Sequence, residues 1–357
     1  MSILIHLTIG SSLPVCKQGE NCMLPDCFCS TFKHPLDLKT IPQMVYFGFD
    51  KGAKAGAEAY YNRLFRHERK NPNDCPISLT LFVSDANKNF DLITEYYNRG
   101  FEIAILSSSH HVSYTVERLK AEAKTRRYDI TSFSNITGDK IRGWKSTRQQ
   151  SVRDAQIEAL RSNNLTYDVS FPYTRKKMTD LNPWPFTLDY GWTLPCEIQP
   201  CPTEKHPGFW VVPVNAMRDY GDWGACRYFD SCVNKPLTVN QTYTYIMDNF
   251  RSHYHGNRAP FGIHMHEALF SESAEHIEAM DLAIQDLLRY DDVYIVDVNQ
   301  VIEWMNEPTE LQFIRSFKPW SCTSQSVSAI TLPGILIFSI AILCIFVYIR
   351  VMTKLSG

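Results

Sequence analysis

Gly100-Phe-Glu-Ile-Ala-Ile-Leu-Ser-Ser-Ser-His110 runs an apolar strand, Phe101–Leu106, into a polar turn that ends on a histidine. Residues four apart on a first helical turn share one face, so a His-x-x-x-His pair here would grip one metal ion. The pair in this chain is Leu106 and His110. A leucine coordinates nothing, so the segment reads as a metal-binding turn that has lost a ligand.

Similar units flank it on both sides. Apolar strand-like runs occur at Met44–Phe49, Ile77–Val83, Phe209–Val214, Phe261–Met265 and Val293–Val298. Helix-like stretches alternate with them: Ala53–Phe65, Phe90–Asn98, Tyr114–Arg126, Arg148–Arg161 and Ala274–Arg289. In the last, Ile277, Met280, Ile284, Leu287 and Leu288 form one apolar stripe opposite Glu275, Glu278, Asp281 and Gln285. Continuous apolar strands between helices imply a parallel sheet covered by helices, and their number favours a (β/α) barrel over an open sheet. The Pro- and Cys-rich stretch Asn182–Cys232 reads as a stapled loop region. No internal repeat or low-complexity tract interrupts the pattern.

The chain has 357 residues, 44% of them hydrophobic, enough for a large core. A net charge of −2 excludes an electrostatic case for nucleic acid. Val327–Ile349 carries no charge, and a bilayer core needs about 20 apolar residues in a helix, so it reads as one transmembrane span. Arg350 and Lys354 follow it, which predicts a short cytoplasmic tail over residues 350–357 and a single-pass type I orientation. A lipid-anchor signal is the alternative, but it would end on apolar residues, not Thr-Lys-Leu-Ser-Gly. Residues 1–15 form at best a weak signal peptide, with a short apolar stretch and no basic start.

Eleven cysteines are present, one of them, Cys344, inside the apolar span. The other ten form an even set, as expected for five disulfides in an oxidising compartment. A zinc module is the competing reading for the dense Cys16–Cys29 cluster, though its spacing fits no common one. Three Asn-x-Thr sequons, at Asn135, Asn164 and Asn240, also point to the secretory pathway or plasma membrane. The expected organisation is a Cys-rich segment over 16–38, a barrel over 39–322 and the span over 327–349.

In such barrels the chemistry sits where strands end. Met44–Phe49 ends in Asp50-Lys51, Phe101–Leu106 runs on to His110-His111, and Phe261–Met265 contains His264 and ends at His266. His264 and His266 share one strand face. They read first as a buried hydrogen-bonded pair, and second as ligands of a rebuilt metal site with Asp50 and His110.

At these residues the chain resembles the NodB-type polysaccharide deacetylases, most closely animal chitin deacetylase-like proteins. The resemblance runs from about Pro25 to Cys322. It is supported by Leu24-Pro-Asp-Cys-Phe-Cys-Ser-Thr31, Asn71-Pro-Asn-Asp-Cys-Pro-Ile-Ser78, Trp184-Pro-Phe-Thr-Leu-Asp-Tyr190, Asn257-Arg-Ala-Pro-Phe-Gly262 and Ser316-Phe-Lys-Pro-Trp-Ser-Cys322. It implies a distorted (β/α) barrel with fewer than eight units and removal of acetyl groups from N-acetylglucosamine polymers. In that chemistry a divalent metal, usually zinc, activates water, an aspartate takes its proton and a histidine protonates the leaving amine.

The match is partial. Thr-Phe-Asp-Asp of the family becomes Gly48-Phe49-Asp50-Lys51. Asp50 matches the base, and Lys51 stands where a metal-binding aspartate belongs. Leu106 replaces the first metal histidine, while His110 keeps the second as a residual ligand position. Arg142-Gly143-Trp144-Lys145 resembles the family's Arg-Gly-x-Arg, with Lys145 in place of the arginine that orients the base. Lysine lacks the bidentate fork of arginine. His266 matches the catalytic acid. Two of three metal ligands are absent, so the expected state has no metal, zinc being required only if the chain is active. Lys51 is expected to sit near Asp50 and His110 and replace the metal's charge. Trp144, Lys145 and Trp184 are candidate contacts to chitin or another N-acetylglucosamine-containing glycan, with Trp192 and Trp223 as further indoles able to stack on sugars.

The expected function is that of a membrane-anchored deacetylase-like protein that has lost catalysis and binds glycan. The alternatives are an active metal-dependent amidohydrolase on N-acetylglucosamine polymers and a receptor-like protein with a protein partner.

Overall fold

Gln43–Asp50 (β1) is buried along its whole length, as a strand covered on both faces must be. Phe47 and Phe49 point outward and pack edge-on against Phe65 and Tyr61, beside helix Glu58–Leu64 (α1). Tyr46, Gly48 and Asp50 alternate to the inner face. The structure is a computed structural model that describes residues 15–84, 89–107, 115–149, 151–266, 268–269 and 273–322.

The main sheet adds Thr80–Val83 (β2), Glu102–Leu106 (β3), Gly143–Lys145 (β4), Tyr167–Asp168 (β5), Phe186–Leu188 (β6), His206–Val211 (β7), Phe261–His266 (β8) and Val293–Val296 (β9). Its order is β8-β1-β2-β3-β4-β5-β7-β6, and β9 pairs with the first half of β1. All these pairings are parallel except β6–β7. The path does not close among the described residues, so the barrel expectation resolves into a curled half-barrel with helices outside. The core fills both sides of the sheet, with Tyr61, Tyr96, Trp144, Trp184 and Trp304 among its largest members.

Phe90–Asn98 (α2) forms as expected, with Asn89 accepting from the Leu92 amide at its start. Three other ends shift for local reasons. α1 begins at Glu58 rather than Ala53 because Ala53 and Gly56 have positive φ. Asp154–Arg161 (α4) begins late because Arg148, Gln149 and Arg153 do too. Val116–Phe133 (α3) continues past Arg126 because Ile130 still reaches the core.

Ala274–Leu287 (α6) matches its predicted stripe. Val239–Tyr254 (α5) and Val298–Asn306 (α7) had not been expected. Val298 is the first residue of α7 rather than the end of a strand, because Asp297 and Gln300 form a reciprocal capping box there.

The stretch Asn182–Cys232 is more than loop: it supplies β6 and β7. The expected Phe209–Val214 strand stops at Val211, before Pro213, which has no N–H for the ladder. The Cys-rich N-terminal segment packs on the same unit: the Phe28 amide donates to Thr187 Oγ1, and the Thr187 amide donates to the Phe28 carbonyl.

Cys16–Cys29, Cys22–Cys27, Cys196–Cys201 and Cys226–Cys232 are disulfides, and Cys75 and Cys322 are disulfide-bonded as well. The sulfurs of Cys16, Cys22 and Cys27 do lie within 4.8 Å of one another, but as members of two disulfides they are not thiolate ligands. The span predicted over 327–349, the tail over 350–357 and all but the last residue of the leader over 1–15 lie outside the described residues. No described helix is long and apolar enough to cross a membrane.

Candidate functional site

Parallel strands send their last residues to one rim, and β1, β4 and β8 end there in Asp50, Lys145 and His266. The register of β1 against β8 sets Asp50 beside His266 and Gly48 beside His264. Gly48 is required at its place: a Cβ would stand 2.9 Å from His264 Nδ1 and 3.0 Å from the Phe82 ring.

Lys145 is fully buried and crosses the inside of the sheet. Its Nζ lies 2.5 Å from Asp50 Oδ1 and 3.2 Å from His264 Nδ1. The rings of Phe82 and Tyr228 lie 5.0 and 4.5 Å from the ammonium. Burial pulls the lysine below its ordinary range, and Asp50 opposes that pull.

Burial, and then the neighbouring Lys145 charge, hold the His264 pKa well below that of a free imidazole. A neutral His264 accepts from Lys145 at Nδ1 and keeps its proton on Nε2, which faces the Tyr46 hydroxyl at 3.3 Å. Of the expected buried, hydrogen-bonded pair, His264 is buried and hydrogen-bonded, whereas His266 is half-exposed.

The second oxygen of Asp50 is also taken. Tyr228 donates its hydroxyl to Oδ2 at 2.7 Å, and burial followed by Asp50 keeps that phenol protonated. Tyr228 stacks on His266 with ring centroids 4.7 Å apart. His266 Nδ1 lies 2.9 Å from Asp230 Oδ2, and its backbone amide reaches the same oxygen at 3.3 Å. The Asp230 hydrogen bond raises the His266 pKa against a smaller lowering from burial. The side chain of His266 is 44% exposed, so it is the site's opening to solvent.

Several expectations need correction. Lys51 is exposed, on a backbone turned to φ 59°, and the cation beside Asp50 is Lys145. Lys145 is therefore no contact for a substrate. Trp144 and Trp184 are fully buried and offer no face to a sugar. The Trp144 indole donates to Ser146 Oγ at 3.1 Å, and Trp184 stacks on Trp304. Leu106 is buried in the core, in register with Lys145 on the neighbouring strand. His110 lies outside the described residues.

Tyr46, Tyr228 and Asp230 escaped the sequence reading. A signal was present: Cys226-Arg-Tyr228-Phe-Asp230-Ser-Cys232 brackets a tyrosine and an aspartate inside one short disulfide loop.

The residues do not fit a catalytic zinc. Such a site takes three protein ligands and an open position. Lys51 and Leu106 cannot coordinate, and both oxygens of Asp50 are engaged, by an ammonium and a phenol. What the arrangement retains is a half-exposed imidazole poised to carry a proton, above a closed charge pair.

No family model matches the chain. It is 32% identical over 326 residues to chitin deacetylase 8 of Bombyx mori, covering 88% of this chain and 84% of that protein. It is 30% identical over 328 residues to chitin deacetylase 1 of the same organism, covering 86% of this chain and 59% of that protein. Among solved structures, a putative polysaccharide deacetylase from Mycobacterium smegmatis superposes with a TM-score of 0.54 at 14% identity, over 78% of this chain and 96% of that one. An allantoinase superposes with a TM-score of 0.51 at 14% identity, over 74% and 91%. At such low identity the solved structures bear on the fold alone, and theirs is shared. The sequence relatives carry the assignment: with the half-barrel and the strand-end residues in place, the chain belongs to the NodB-type polysaccharide deacetylases, close to the animal chitin deacetylases.

Proposed function

We propose that this protein is a deacetylase-like glycan-binding protein without hydrolytic activity, held at the cell surface or in the secretory pathway. The observation that carries the reading is the closed Asp50 carboxylate, bonded on one oxygen by Lys145 and on the other by Tyr228. That carboxylate is also buried, so a substrate water has little access to it, and removing Lys145 from it would strand a buried charge.

The Bombyx mori relatives are named for chitin, which makes N-acetylglucosamine polymers the ligand class to test. Ten disulfide-bonded cysteines favour an oxidising compartment. The exposure of Asn135, Asn164 and Asn240 leaves all three sequons open to glycosylation. Val327–Ile349 supplies the anchor in this reading, with the barrel outside the cell.

The test is to produce the chain in a secretory host, measure its bound metal and assay acetate release from chitin oligomers alongside retention on chitin. Retention with neither metal nor acetate is the expected result. Stoichiometric zinc with acetate release overturns it in favour of an active amidohydrolase. Failure of the folded protein to bind chitin overturns it in favour of a protein ligand.

A further inference from the structure

Seven tryptophans occur in the chain, and Trp223 is the exposed one, at 86%. Exposure of one apolar side chain is ordinary and explains nothing alone. The turn beneath it is unusual in how firmly it is built. Gly221 and Asp222 both have positive φ, at 100° and 61°. Asp219 Oδ1 accepts from the backbone amides of Trp223 and Gly224 at 2.8 and 2.9 Å. Arg218 donates to Asp222 Oδ1 at 2.5 Å and to its carbonyl at 2.8 Å. Gly221 lets the indole lie against the turn: a Cβ there would stand 2.9 Å from the Trp223 ring. Asn234 ties the far side by donating to the Tyr220 carbonyl.

The turn closes a short ribbon in which Met217–Arg218 pairs with Ala225–Cys226. That ribbon runs directly into the site. Two residues past Cys226 stands Tyr228 on Asp50, and two further stands Asp230 on His266. Tyr245 of α5 fixes the junction, its hydroxyl 3.1 Å from Cys232 Sγ and 3.6 Å from Met217 Sδ. Tyr228 is five positions after Trp223, so their Cα atoms lie within about 18 Å of each other by chain length alone. One disulfide-stapled element thus carries two of the site's residues at one end and an exposed indole on a firmly bonded turn at the other.

We propose that Trp223 is a stacking platform for a pyranose ring of an N-acetylglucosamine-type glycan that also passes over the half-exposed His266. This rests on the glycan-binding reading above. A sugar's C–H face suits an indole, and the polar groups of Asp222 and Asn234 beside it suit the hydroxyls at the ring's edge. A platform held rigid before binding loses little freedom when the ligand arrives. Within the turn the carboxylates of Asp219 and Asp222 stand against one guanidinium, Arg218, so the turn offers no net positive charge to an anionic bilayer.

The test uses the full-length protein and a soluble chitin hexamer, read by titration calorimetry, with Trp223→Ala and Trp223→Phe beside wild type. The indole is exposed, so both variants should unfold thermally like wild type. The expected result is affinity about tenfold weaker or worse for Trp223→Ala, with most of it kept by Trp223→Phe, which retains a flat ring. Equal affinity in wild type and Trp223→Ala overturns the platform and leaves the glycan-binding reading standing. A wild type that binds no hexamer overturns both. A Trp223→Ala variant that keeps hexamer affinity but loses binding to phosphatidylserine-containing vesicles overturns the platform in favour of a membrane contact.

Discussion

Lys145 Nζ lies 2.5 Å from Asp50 Oδ1, with both side chains out of solvent. Two strands that are not neighbours in the sheet, β1 and β4, are thereby tied across its concave face. A buried pair of this kind costs desolvation on both sides and returns it only while both members are present.

Removing one member should therefore be expensive. Lys145→Met is expected to destabilise the fold by about 3–5 kcal/mol, because Asp50 is left buried and uncompensated. The double change Asp50→Leu with Lys145→Met should lose distinctly less. Urea unfolding of the wild type, the two single variants and the double variant measures this, and a double-variant loss equal to the sum of the two single losses would show that the two groups are not coupled.

The metal site should be recoverable in part. Lys51→Asp with Leu106→His restores the two ligand types that the family pattern has at those sequence positions, and aspartate suits the left-handed backbone at residue 51 better than lysine does. The double variant is expected to retain zinc through dialysis while wild type does not. Metal analysis decides it, and a double variant as empty as wild type would count against the strand-end alignment.

His266 should titrate above the usual imidazole range, since Asp230 raises its pKa. The stabilising contribution of its charged form is fully present below the unfolded value of about 6.5 and is lost as pH rises through the raised folded value. Asp230→Asn should bring the titration back down and remove that pH dependence. An NMR titration of the imidazole in both proteins tests the point, and identical curves would refute it.

The Cys226–Cys232 staple encloses Tyr228 and Asp230. Replacing both cysteines by serine is expected to cost about 2 kcal/mol, from the loop-closure entropy of so short a ring. The same change should lower the His266 pKa toward the ordinary value by loosening Asp230. Unchanged stability together with an unchanged titration would show that the loop holds its shape without the bond.

The strand ends were readable because a parallel sheet announces itself in long apolar runs, and Asp50 and His266 follow such runs directly. β4 and β5 were not, since three residues and two residues carry no periodicity of their own. Their pairing comes from neighbours already in place. Tyr228 and Asp230 were missed for a related reason: they sit in an irregular stretch whose path is set by a disulfide and by Tyr245 of a distant helix.

From the sequence alone came the α/β class, the family resemblance, the disulfide-rich character and the presence of Lys51 and Leu106 where the resemblance leads one to expect metal ligands. Each is a matter of residue type at a place along the chain. Which cation meets Asp50 was decided only by tertiary structure. Lys51 is adjacent in sequence, yet the positive φ and exposure at residue 51 take it out of the core. Lys145 is 95 residues away, yet it points inward from a strand across the sheet and reaches the carboxylate. Sequence neighbours at a strand end face opposite ways, and inward-facing residues meet across the curve of the sheet.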